Sequence, residues 1–181
     1  MASVTKSPTS CTSDTIPAVI NWTDPSNALL SDSDYATTST EALTPSDSEV
    51  RLYIEGSIAG EDKATNTPIS TSESYLSYGG ITDKWALTPS YAQIIDPNFG
   101  CAFLTNNVLG RYSKATGFNF QDDIPIGSVI NGIQVEIQAK TTGTTLKTCN
   151  VNHFRITIYY TEPPSVCVRS MLLTSIMNLG L

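Results

Sequence analysis

The sequence predicts an all-β protein, an antiparallel two-sheet β-sandwich of jelly-roll or similar Greek-key type, and three observations carry that prediction. The first is strict alternation from Ile133 to Gln138, where Ile133, Val135 and Ile137 fall on one side and Gln134, Glu136 and Gln138 on the other. Side chains alternate across a strand with period two, so one face of this segment is core and the other is wet. The second is a matching run from Val151 to Tyr160, with Phe154, Ile156, Ile158 and Tyr160 on its apolar face. Sequential strands usually pair, so this run is expected antiparallel to residues 133–139. The third is punctuation: many short segments bounded by Gly, Pro and Asn, with little room for helix. Such a pattern reads as a sandwich.

The chain has 181 residues, is 40% hydrophobic and carries a formal net charge of −7. That length supports one well-buried core. The acidic balance argues against a nucleic-acid partner, since affinity for phosphates rests on clustered cations. No apolar stretch approaches the roughly 20 residues that span a bilayer, so no membrane partner is expected. Residues 1–16 contain one Lys, Ser or Thr at eight of sixteen positions, and no apolar run like the core of a signal peptide. A cytosolic site of synthesis is the expectation. Under reducing conditions Cys11, Cys101, Cys149 and Cys167, which form no CxxC pair, are expected as free thiols, with a Cys101–Cys149 disulfide as the alternative. The Asn21-Trp22-Thr23 sequon has no meaning without secretion.

Three regions emerge from composition: an N-terminal arm over 1–16, a β-sandwich over 17–162 and an apolar tail over 163–181. The arm is read as flexible, because dense Ser and Thr offset little ordering entropy without a partner surface. Within the sandwich, Trp22 reads as a core anchor, the alternative being an exposed platform for sugar stacking. Glu49 to Glu55 alternates, with Val50, Leu52 and Ile54 inward, and ends at Gly56. Residues 60–74 form a long polar loop around Pro68. Tyr75 to Tyr78 is strand-like and stops at Gly79-Gly80. Pro89 to Ile95 is the one candidate helical turn, with Pro89 near its first position and Pro97 closing it.

Chemistry is sparse. His153 is the sole histidine and stands mid-strand, read as an exposed or interface residue rather than a general base. Asp24, Asp32 and Asp34 lack the glycine and terminal Glu of a calcium loop and read as turn formers. The acidic residues lie at no spacing diagnostic of a glycosidase, and GxxxxGK[ST], GxGxxG and HExxH are all missing. No catalytic residue, metal site or cofactor is therefore assigned, and an enzyme is not expected.

The tail differs in kind. Val166, Val168, Met171, Leu172, Leu173, Ile176, Met177 and Leu179 lie beyond Pro163-Pro164, with Arg169 the only charge after Glu162. Contiguous apolar surface marks a contact site, so these eight residues are the candidate partner-binding set, docking on a neighbouring subunit or folding back on the core.

Four blocks together resemble the jelly-roll or β-sandwich virion proteins of tailed bacteriophages, found among capsid decoration, fibre and other surface components. They are Trp22 to Ala28 with Asp34 to Thr37; Tyr78-Gly79-Gly80 to Trp85 leading to Phe99-Gly100; Phe118-Asn119-Phe120 with Ile124-Pro125 and Ile130 to Ile137; and Val151 to Tyr160. In such proteins the Ile-Pro…Gly-Ile block usually precedes the Tyr-Gly-Gly…Trp block, whereas here it comes after. The resemblance implies a structural protein of the virion surface, assembled in the host cytoplasm. Its partners would be the major capsid protein and its own copies, as a homotrimeric decoration or cement protein. A carbohydrate- or receptor-binding module of a fibre or appendage is the alternative, using Trp22, Trp85 or loop tyrosines as platforms.

Overall fold

The computed structural model describes residues 1–13, 22–39, 44–106, 112–143 and 147–164. Among the described residues ten strands form two antiparallel sheets. In chain order they are β1 (Ala2–Lys6), β2 (Ser10–Ser13), β3 (Ala36–Ser39), β4 (Asp47–Ile54), β5 (Ser57–Ala59), β6 (Ser74–Gly80), β7 (Gly100–Thr105), β8 (Ser113–Thr116), β9 (Val129–Thr142) and β10 (Thr148–Thr161). The first sheet runs β1-β10-β9-β6, with β3 also paired to β10, and the second runs β2-β8-β7-β4-β5. One hydrophobic core joins them.

The β9–β10 hairpin is the spine of the first sheet, with Ile133 opposite Ile158, Val135 opposite Ile156 and Ile137 opposite Phe154. All six are fully buried. Burying each of these side chains is worth roughly 1.5–3 kcal/mol, and a one-residue slip would expose a whole face, so the register is strongly specified. β4 buries Val50, Leu52 and Ile54 as expected. It turns into β5 through Glu55 (φ 52) and Gly56 (φ 80), the paired left-handed residues that match the twist of a two-residue hairpin.

The N-terminal segment departs from expectation. It is not a free arm through its first thirteen residues: β1 pairs with residues 156–160 of β10, and β2 pairs with β8 in the other sheet. Ser7-Pro8-Thr9 therefore carries the chain from one sheet to the other. β1 and β3 share the edge of β10 that β9 leaves open, β1 along 156–160 and β3 along 148–151. The ordering entropy is offset by inward packing of Ala2, Val4 and Cys11 and by the closure of two sheet edges.

The helical turn is α1 (Tyr91–Ile95). Ser90, not Pro89, opens it: the Ser90 side chain accepts from the Gln93 backbone, and the Gln93 side chain accepts from the Ser90 backbone. This reciprocal cap satisfies two otherwise orphaned donors, so Pro89 stands one residue before the cap. No helix among the described residues is long and apolar enough to cross a membrane.

Candidate interaction surfaces

Three surfaces could carry function. The first is the end of the β9–β10 hairpin, where the N-terminus meets the last described residues. Ala2 pairs with Tyr160, and Val129 pairs with Thr161. The Tyr160 hydroxyl donates to the Asp123 carbonyl at 3.2 Å, and Lys6 bridges the Asp123 carboxylate at 2.6 Å. Beyond Thr161 the chain runs through Glu162, Pro163 and Pro164, with Gly127 facing Pro163. Met1, Ile81, Ile126 and Val129 are large apolar side chains left exposed here. The eight residues from Val166 to Leu179 assigned to partner binding lie outside the described residues, as do Asn21 and Cys167.

The second surface is the outer face of the first sheet. Arg155 forms a bidentate pair with Glu136 at 2.7 and 2.8 Å and lies 4.0 Å above the Tyr75 ring. The Tyr159 hydroxyl donates to Gln134 at 2.7 Å. Lys140 donates to the Tyr35 hydroxyl at 2.8 Å, and that hydroxyl donates to Glu73 at 2.9 Å. Asn152 ties this cluster to the loop before β3, donating to Glu73 at 2.6 Å and to the Asp32 carbonyl at 2.8 Å. These contacts build a polar, largely self-satisfied face.

His153 belongs to this cluster and is not exposed, at 8% accessibility. A register shift between Val151 and His153 turns the ring into a cage. Its Nδ1 is 3.1 Å from the Tyr75 hydroxyl and its Nε2 is 2.9 Å from the Ser7 hydroxyl. Desolvation, and then the Arg155 charge, hold its pKa below the ordinary value of 6.5. The ring is a neutral structural node.

The third surface is a groove of about 360 Å³ beside the β4–β5 turn, floored by Ile54, Ala59, Leu87 and Pro89. Glu55 and Gln93 stand in its wall and hydrogen-bond to each other at 3.3 Å.

Both tryptophans are spent on packing. Trp22 is 4% exposed and packs on Phe103 at 6.2 Å. Trp85 is fully buried, and its indole nitrogen donates to the Ile133 carbonyl at 3.0 Å. Neither indole is available as an exposed stacking platform. Cys11, Cys101 and Cys149 are buried free thiols. Burial pushes Cys11 and Cys149 up to about 12 and Cys101 well above its ordinary range, so the reactive thiolate is suppressed in all three.

Asp24 and Asp32 serve turns. Asp24 has φ 48 and its carbonyl accepts from Asn27, while the Asp32 carboxylate accepts from the Asp34 backbone at 2.8 Å. No cluster of three or more His, Cys, Asp or Glu suited to a metal occurs among the described residues. The polar pair inside the core is Asp47, bound to the Thr65 backbone at 2.8 Å, and Tyr78, whose hydroxyl is raised in pKa by burial and then by the Asp47 charge.

Fold and surfaces together define a two-sheet antiparallel β-sandwich with a packed core and a polar outer face. No protein family, curated protein or solved structure matches this chain.

Proposed function

We propose that the chain is a structural virion protein of a tailed phage, a capsid decoration or cement protein that binds and stabilises the lattice of the major capsid protein. The observation that carries this reading is the convergence of both described chain ends on one exposed apolar corner, from which the apolar 165–181 segment continues. Exposed apolar patches of this kind mark protein contacts. The resemblance-bearing blocks support it too, because they supply scaffold. Tyr78-Gly79-Gly80, Ile130 to Ile137 and Val151 to Tyr160 lie on β6, β9 and β10, which are neighbours in one sheet, and Ala36-Thr37 joins through β3. Their adjacency in space is independent of their order along the chain, so the displaced Ile-Pro block is compatible with the same packed sheet.

In this reading attachment belongs to the C-terminal segment, while the first thirteen residues hold the sandwich together. Many modest contacts, multiplied over a homotrimer and over the lattice, would raise the barrier to capsid rupture. The test is co-sedimentation of the full chain, and of a chain ending at Pro164, with capsids lacking it. The full chain is expected to bind and the shortened chain to stay folded and unbound. Equal binding by both would overturn the clamp.

A glycan- or receptor-binding module is the second reading, and the polar outer face of the first sheet favours it. There Tyr75, Tyr159, Gln134, Glu136 and Arg155 form a row of donors and acceptors. Binding on a glycan array, lost in Tyr159→Ala with Arg155→Ala, would select it.

A further inference from the structure

We infer that the open edge of β6 is a contact between two copies of this chain, which lie β6 against β6, antiparallel about Ser77, and so join their first sheets into one. The contact is two-fold and uses an edge that the decoration reading does not use, so neither reading rests on the other.

The ladder shows which backbone groups are free. The Ile133 backbone nitrogen donates to the Asp83 carbonyl at 2.8 Å, so the hydrogen-bonding groups of Ile133 point away from β10 and toward β6. Alternate residues of a strand bond to the same side, so Val135, Ile137 and Ala139 point that way too and engage their partners Tyr78, Leu76 and Ser74. Tyr75, Ser77 and Gly79 therefore turn their amide and carbonyl groups outward. No strand among the described residues pairs with that side of β6. The edge is also unguarded. Edge strands are normally blunted by shortness, by Lys or by Pro. β5 has three residues, β2 and β3 have four each, and β1 carries Lys6, whereas Ser74–Gly80 has seven residues with no charge and no proline.

The occupant is a second β6 because the strand is complementary to itself. Turned by a two-fold axis through Ser77, Ser77 meets its copy, Tyr75 meets Gly79 and Leu76 meets Tyr78. Opposed residues share a face, so the Leu76 of each copy comes over the buried Tyr78 of the other. Leu76 needs that cover: it lies opposite fully buried Ile137, on the core side, and yet is only half-buried. A cleft of about 230 Å³, lined by Thr65, Thr67, Leu76 and Tyr78, opens there to receive it. Charge does not oppose the pairing. Continued outward, the symmetry sets Glu73 opposite Ile81, and Glu136, beside Ser77 in β9, is neutralised by Arg155. Over 73–81 no like charges meet across the axis.

Ser77→Pro tests the contact, because Pro removes an outward N–H and leaves the β6–β9 ladder intact. Sedimentation velocity follows the full chain over a range of concentrations. The native chain is expected to double in mass as concentration rises, and the variant, verified as folded by circular dichroism, to lose the doubling. Ser77→Cys tests the axis, in a Cys167→Ser background where Cys11, Cys101 and Cys149 are buried. Directly opposed strand residues stand about 5.5 Å apart between α-carbons, within reach of a disulfide. Mild oxidation should therefore link two Ser77→Cys chains about tenfold or more faster than two Thr12→Cys chains, an exposed position of β2, because a preformed pair holds its thiols at millimolar effective concentration. A chain that stays monomeric at its highest soluble concentration overturns the inference and leaves the edge to a strand of another protein. So does doubling that survives Ser77→Pro, or cross-linking no faster at Ser77→Cys than at Thr12→Cys. If Ser77→Pro unfolds, the cross-linking comparison decides alone. No capsid enters either assay, so failure here is separable from failure of the decoration reading.

Discussion

The indole nitrogen of Trp85 donates to the carbonyl oxygen of Ile133 at 3.0 Å, tying the loop after β6 to the inner face of β9. The loop is built for this contact. The Trp85 backbone nitrogen donates to Asp83 at 2.8 Å, the Trp85 carbonyl accepts from Glu61 at 2.8 Å, and Lys63 bridges Asp83 at 2.9 Å. Trp85→Phe removes the hydrogen bond and part of the buried ring and is expected to cost about 2 kcal/mol, and Trp85→Ala about 3–5 kcal/mol. Urea midpoints measure both. A Phe variant as stable as the parent would deny the contact its role.

Holding the indole in place requires unusual backbone. Trp85 and Ala86 have φ 58 and 56, and Gly79 has φ 73 beneath the ring. A β-carbon at Gly79 would collide with the Ile133 carbonyl and the Trp85 indole. Gly79→Ala is therefore expected to destabilise by about 2 kcal/mol or more, since no relaxed side chain fits a left-handed site so enclosed. Exposed Ala86→Gly should do the reverse, stabilising by about 0.5–1 kcal/mol as the left-handed strain is relieved. Thermal denaturation should show the opposite signs, and shifts of one sign would refute the loop geometry.

The caged histidine gives a pH dependence. His153 has its pKa lowered in the fold, chiefly by desolvation and then by Arg155, from an ordinary value of 6.5. Above the ordinary value both folded and unfolded states are neutral there, and the stability is complete. As pH falls through it the unfolded chain takes up the proton first, so stability declines until the folded ring also titrates. Tyr75, Ser7 and Arg155 are the groups facing the ring, and none supplies a negative charge to reverse the sign. His153→Gln should flatten the loss of urea midpoint between about pH 7 and 5, a window set by the ordinary histidine value. An unchanged slope would place the titrating group elsewhere.

Removing residues 1–13 tests whether the N-terminus is structural. The deletion uncovers the β10 and β8 edges and exposes the partners of Val4 and Cys11. At roughly 1.5–3 kcal/mol per buried apolar side chain, the loss should be at least about 3 kcal/mol. A truncated chain with the parental urea midpoint would restore the flexible-arm reading.

Where the sequence was transparent, a short-range rule applied. Period two alone placed Val50 to Ile54, Ile133 to Ile137 and Phe154 to Tyr160 inward, because one face of each strand is wet. The N-terminal strands were harder to see, since Ser10–Ser13 buries one side chain, Cys11, and edge strands in polar sequence look like loops. Alternation of Ala2 and Val4 with Ser3 and Thr5 was the available signal. The His153 cage could not be read locally, because its two partners, Tyr75 and Ser7, are 78 and 146 residues away in sequence. Trp22 was legible as an anchor from size alone, whereas the burial of Trp85 depends on Gly79 and on a carbonyl from β9. The exposed apolar residues at the open end of the β9–β10 hairpin came from register: Val129 stands opposite Thr161, and Ile81 follows Gly80, the partner of Ile133, only once β6, β9 and β10 align.

Cryo-electron microscopy of the assembled particle tests the proposed function most directly. Sandwich density is predicted on the capsid surface, with the Ile81, Ile126 and Val129 corner and the adjoining C-terminal segment against the major capsid protein. Density on a fibre or tail tip, with the outer face of the first sheet turned toward a receptor, would contradict it.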